Sequence, residues 1–160
     1  MSRRVEEYYF HLAAVMLFFM AMVELSGAIG TARILDQPDP LLPLSNRLVF
    51  VLVGVLELLL SAYLLMGQYG WAKPGLTAWL ATNLLVYRLG VWWAGAPNFG
   101  DCVGNFNEWL PVSPRTLHVI VVAALEFLII GSYTFLILDW FGGPKSMKKK
   151  PLITGVPRGA

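Results

Sequence analysis

The stretch that decides the fold is LVFVLVGVLELLLSAYLLMG, residues 48–67. It is twenty residues long and holds one charge, Glu57. At a rise of 1.5 Å per residue, a helix of that length matches the roughly 30 Å hydrocarbon core of a bilayer. Its Leu and Val run without the alternation of a half-buried strand, so a helix that satisfies its own backbone groups is the expected form.

Three more stretches of similar length flank it, near Phe10–Gly30, Pro74–Ala94 and Thr116–Leu138. The reading is therefore an all-α integral membrane four-helix bundle: one domain over residues 1–141, then a basic, Pro- and Gly-containing tail over 142–160. Composition agrees, with 57% hydrophobic and 14% charged residues against about 25% charged in soluble domains. The low charge excludes disorder. The single cysteine excludes a disulfide-stapled fold, and a net charge of +2 gives no footprint for nucleic acid. Arg3, Arg4, an apolar run and Ser26-Gly27-Ala28 imitate a secretory signal peptide, but the run is long and carries Glu24, so it is read as a retained helix.

Basic residues set the expected orientation. Arg3, Arg4, Lys73, Lys145, Lys148, Lys149, Lys150 and Arg158 fall on one side of an alternating four-span chain, and Arg33, Arg47 and Arg115 on the other. Both termini are then cytoplasmic in a bacterial inner membrane. The connections 31–47 and 95–115 face outward, and the short connection 68–73 makes helices two and three a tight antiparallel hairpin. Trp71, Trp92, Trp93, Trp109 and Trp140 lie near the expected interfaces, with Trp79 the exception.

Each span keeps one charge: Glu24, Glu57, Arg88 and Glu126. A charge at a helix centre costs about 2.5–3.5 kcal/mol on insertion scales, so the four are expected to meet in one intramembrane polar cluster. One guanidinium cannot pair three carboxylates, and burial favours the neutral form of the least compensated acid. Two readings stay open. The cluster is either polar glue that fixes which faces meet, or a site exchanging protons with a cavity, a substrate or a quinone. Gly54, Glu57 and Ser61 share a face of helix two, Trp79, Asn83 and Tyr87 one of helix three, and Glu126 and Tyr133 one of helix four. Asn83, Tyr87 and Tyr133 are thus the cluster's candidate neighbours.

Metal and nucleophile motifs are missing: His11 and His118 fall at opposite faces, and no phosphate loop or catalytic triad is present. The expectation leans away from an enzyme, with no intrinsic cofactor and with quinone or lipid as the molecules such a bundle can receive. Cys102 in the Gly-rich second outer connection is a candidate thiol, and Ser113-Pro114 forms an N-cap and N1 pair for the last helix.

The ordered set Gly30-Thr-Ala-Arg33, Asp39-Pro40, Arg47, Glu57, Trp79-Leu-Ala-Thr-Asn83-Leu-Leu-Val-Tyr87-Arg88, Cys102-Val-Gly-Asn105, Ser113-Pro114 and Gly131-Ser-Tyr133 resembles the DoxX/MauE-like family of small four-helix bacterial membrane proteins, in its planctomycete-type variants. The likeness spans residues 4–139. It implies association with membrane redox systems, as quinone-linked oxidoreductase subunits or as helpers in maturing a disulfide-containing periplasmic dehydrogenase. Relatives often carry a Cys-x-Cys pair in the second outer loop. Here Gly100 and Cys102 occupy those positions, and without a resolving thiol dithiol exchange is not expected of this chain.

Three functions follow as expectations: an accessory subunit or assembly factor of a membrane redox or energy-transducing complex, a quinone- or thiol-linked oxidoreductase component, and a proton-coupled transporter. Expected partners are the bilayer, membrane proteins of such a complex and a homo-oligomer, but not nucleic acid.

Overall fold

The computed structural model describes residues 3–30, 33–66, 72–95 and 114–141. They form four helices, α1 (Arg3–Ile29), α2 (Asn46–Met66), α3 (Ala72–Trp93) and α4 (Pro114–Phe141), with a short 3-10 turn at Arg33–Asp36 and no strand among the described residues. The helices cover the four expected stretches, overrunning them chiefly at the amino end of α1 and the carboxyl end of α4. α1, α2 and α4 are each long and apolar enough to cross a membrane, which makes this a multi-pass membrane protein. Lys73, Thr77, Asn83 and Arg88 make α3 less apolar.

Local chemistry sets the helix ends. Ser45 Oγ accepts the Leu48 amide at 3.4 Å, a side-chain cap on the first turn of α2. Gly95 ends α3 with φ +68°, the left-handed conformation that a glycine adopts freely after a last helical turn.

The helices associate as two pairs, α1 with α2 and α3 with α4, while α2 and α3 touch little. The tight hairpin expected from the short 68–73 connection is therefore not how helices two and three pack. The reason lies in α1. Gly54 lets α2 approach so closely that an added Cβ would sit 2.8 Å from Leu25 Cγ and 3.4 Å from the Ala21 carbonyl. Lower down, Ser61 Oγ donates to the Ala14 carbonyl at 2.8 Å. What joins α2 to α3 is a cap: buried Lys73 donates from Nζ to the Leu64 carbonyl at 2.7 Å, placing a cation at the carboxyl end of α2. Burial pushes the Lys73 ammonium below the ordinary lysine range, and nearby Glu6 opposes that shift.

Tyr9 locks the two pairs together. Its ring lies 5.1 Å from Phe10, 5.2 Å from Phe127 and 5.0 Å from Phe135, and its hydroxyl donates to the Leu128 carbonyl at 2.9 Å and meets Ser132 Oγ at 3.0 Å. Gly131 makes room for it, since a Cβ there would stand only 2.1 Å from Tyr9 Cε2. Leu17, Leu64, Leu84, Leu125 and Leu128 complete the core.

Candidate functional site

The connection between α1 and α2 folds into a small cap at one end of the bundle. Asp39 organises it. Oδ1 accepts the Leu41 and Leu42 amides at 2.8 and 2.9 Å, and its own amide donates to the Leu44 carbonyl at 2.8 Å. Such a turn is what an Asp before a proline favours. Pro38 and Ser45 bridge in antiparallel fashion, and the Asn46 amide donates to the Gln37 carbonyl at 3.0 Å. The Tyr87 hydroxyl donates to Asp39 Oδ2, tying the cap to α3. Leu41 lies against Gly90, where a Cβ would stand 2.7 Å from its Cδ1. Arg47 fastens the other side: Nη1 donates to the Ala28 carbonyl near the end of α1 at 2.8 Å, and Nη2 pairs with Asp36 at 3.2 Å.

Beneath this cap lie three of the four expected intramembrane charges, Glu24 on α1, Glu57 on α2 and Arg88 on α3. Arg88 lies within electrostatic reach of both carboxylates, and Glu57 within reach of Glu24. No hydrogen bond or contact ion pair joins them among the described residues. Glu57 is 0% exposed and neither of its oxygens has a hydrogen-bond partner there; Glu24 Oε2 is likewise buried and unpartnered. An orphaned carboxyl in a low-dielectric interior is costly, so the neighbouring guanidinium is the compensating group the fold provides. The arrangement thus sets two acids and one guanidinium inside the bundle, with Glu57 shut away from solvent and Glu24 and Arg88 half-buried.

Glu126 does not join them. It is exposed, on the face of α4 that also carries Val119, Val122 and Ala123, and these four line an open pocket of about 350 Å³. The physical reason is helical phase: Leu125 and Leu128 take the core-facing positions, and a residue one step from Leu125 is turned about 100° away. The expected neighbours also separate. Tyr87 belongs to the cap. Asn83 is exposed and its amide donates back to the Trp79 carbonyl at 2.7 Å, and Tyr133 meets Thr82 Oγ1 at 3.2 Å across the α3–α4 pair. The polar stripe Trp79, Asn83, Tyr87 therefore faces outward at two of its three positions.

A second, apolar groove of about 220 Å³ runs where α2 and α3 part, between Leu56, Tyr63, Leu76 and Trp79. No group of three or more His, Cys, Asp or Glu side chains that could hold a metal occurs among the described residues. Cys102, Gly100 and the lysine run of the tail lie outside the described residues.

Residue reading alone gave Asp39, Arg47, Lys73 and Tyr9 no structural task. Asp39-Pro40 carried a signal, an Asp poised to form a turn. Lys73 counted as a topology marker, and its burial had no signature beyond the neighbouring Pro74. No family model matches the chain, and no curated protein and no solved structure is significantly similar to it.

Proposed function

We propose that this chain is a four-span bacterial inner-membrane protein of DoxX/MauE-like type, with cytoplasmic termini. It serves as an accessory subunit or assembly factor of a membrane redox or energy-transducing complex. The observation that carries this reading is the outer face of α3. Trp79 is 58% exposed, and Asn83 is exposed beside it in the middle of α3, which lacks the long apolar window found in α1, α2 and α4. Acyl chains offer an exposed amide nothing, whereas a neighbouring protein helix offers hydrogen-bonding groups.

Copurification after extraction in mild detergent tests it. The protein should bring stoichiometric membrane partners, and Asn83→Leu should release them while leaving the bundle folded. A chain that always runs without other proteins would end the proposal.

The Glu24–Glu57–Arg88 group, buried at Glu57 and half-buried at the other two, favours a second reading, a component that passes protons to a quinone or similar carrier. Quinone-linked turnover that persists unchanged in folded Arg88→Ala and Glu57→Gln variants would remove it.

A further inference from the structure

The tip of the cap is made only of proline and leucine. Between Asp39 and Leu44, whose backbones close the turn, lie Pro40, Leu41, Leu42 and Pro43, and all four are exposed. The prolines have no backbone N–H, and the two amides that remain, those of Leu41 and Leu42, both donate to Asp39 Oδ1. The tip therefore offers its surroundings no free backbone donor and no polar side chain. Water would hydrogen-bond any amide left open, so a turn in water needs neither property, whereas a turn against lipid needs both. The Asp39 carboxylate that accepts these amides is kept from the surface at 6% exposure, with Oδ2 taken by Tyr87.

Position agrees with chemistry. Leu41 rests on Gly90 and Asp39 is held by Tyr87, so the turn is seated alongside α3. Gly90 precedes Trp93, the last residue of α3, by three residues, about 4.5 Å along the helix. Trp92 and Trp93 are largely exposed, as rings that settle at headgroup level are. Val86, one turn before Gly90 on the same face, is exposed too, so the apolar surface of the tip continues along the helix. The charged pair of the cap, Asp36 with Arg47, lies at the base of the turn beside the start of α2. We infer that residues 40–43 are a membrane-dipping anchor, which inserts Leu41 and Leu42 among the lipids at the headgroup–acyl boundary, deeper than the Trp92 and Trp93 rings. The inference rests on α3 crossing the bilayer, as proposed above, and is independent of which complex the protein serves. The cap over Glu24 and Arg88 is then pinned twice, to α3 by Tyr87 and to the bilayer by its own tip.

The test uses the full-length chain in a Cys102→Ser background, labelled with a nitroxide at single cysteines and reconstituted in phosphatidylethanolamine–phosphatidylglycerol vesicles. Collisions with oxygen, which concentrates in the bilayer, are compared with collisions with a water-soluble nickel chelate. The oxygen-to-nickel ratio at Leu42→Cys and at Pro43→Cys should exceed that at exposed Gln37→Cys several-fold, while Val86→Cys reports the depth of α3 itself. Thermal unfolding in detergent identifies the labelled variants that stay folded, and either tip site alone decides the question. Tip ratios equal to that at Gln37→Cys, with Val86→Cys in lipid, would overturn the anchor and leave the four-span reading standing. A Val86→Cys label open to nickel would overturn the four-span reading and the anchor with it. Tip labels shielded from both reagents would also overturn the anchor, since protein and not lipid would then cover the turn.

Discussion

The hydroxyl of Tyr87 donates to Asp39 Oδ2, and this bond holds the α1–α2 connection down on α3, directly next in sequence to Arg88. Asp39 spends its other carboxylate oxygen on the turn, so one side chain serves both the shape of the cap and its attachment. Tyr87→Phe removes this attachment and leaves the turn intact. We expect it to cost about 1–2 kcal/mol in stability and to raise amide exchange across residues 35–45. Asp39→Ala should cost more, because it also undoes the turn. Equal exchange in the wild type and Tyr87→Phe would show that the cap does not depend on this bond.

Arg88 is the cation within reach of Glu24 and Glu57. Arg88→Leu should therefore destabilise the bundle by about 2–3 kcal/mol, somewhat below the roughly 3–5 kcal/mol of a broken contact pair. Adding Glu24→Gln should recover part of the loss, a non-additivity that a double-mutant cycle reads directly. Strictly additive effects would mean that the charges do not sense one another.

Gly131 of α4 packs directly against the ring of Tyr9 on α1. Gly131→Ala forces a methyl into a ring held by two hydrogen bonds, and should lower stability by about 1–3 kcal/mol. Combined with Tyr9→Leu, the same substitution should add almost nothing. Thermal unfolding in detergent distinguishes these outcomes.

Lys73 gives a pH signature. Its ammonium is held below the ordinary value of 10.5 by burial, so between its folded and its unfolded value the unfolded chain binds the extra proton. Stability should thus rise as pH climbs through that window towards 10.5, and Lys73→Met should abolish the rise. Below the window Lys73 is charged in both states and contributes no slope. The measurement is the unfolding midpoint against alkaline pH for the two proteins.

The helices were legible because apolar runs interrupted by charges and prolines announce both length and ends, as Pro114 at the start of α4 and the 48–67 stretch illustrate. Glu57 was legible for the same reason, being one charge in twenty residues. Glu126 was misplaced because one intramembrane charge does not reveal the phase of its helix. That phase is set by Leu125 and Leu128 together with Gly131, whose role appears only when Tyr9 is seen against it. The helix pairing was misjudged because a short connection constrains the ends of α2 and α3, not the faces along their length. Gly54 and Ser61, which share a face of helix two with Glu57, proved to be where α2 meets α1.

Synthesis adds an order to these contacts. The phenol of Tyr9 finds its acceptor 119 residues later, on the last of the described helices to leave the ribosome. Until α4 inserts, the first helix keeps an unsatisfied hydroxyl and an uncovered aromatic surface within the bilayer. A chain truncated before Pro114 is thus marked as unfinished from its amino end, a state that membrane chaperones and proteases are able to recognise.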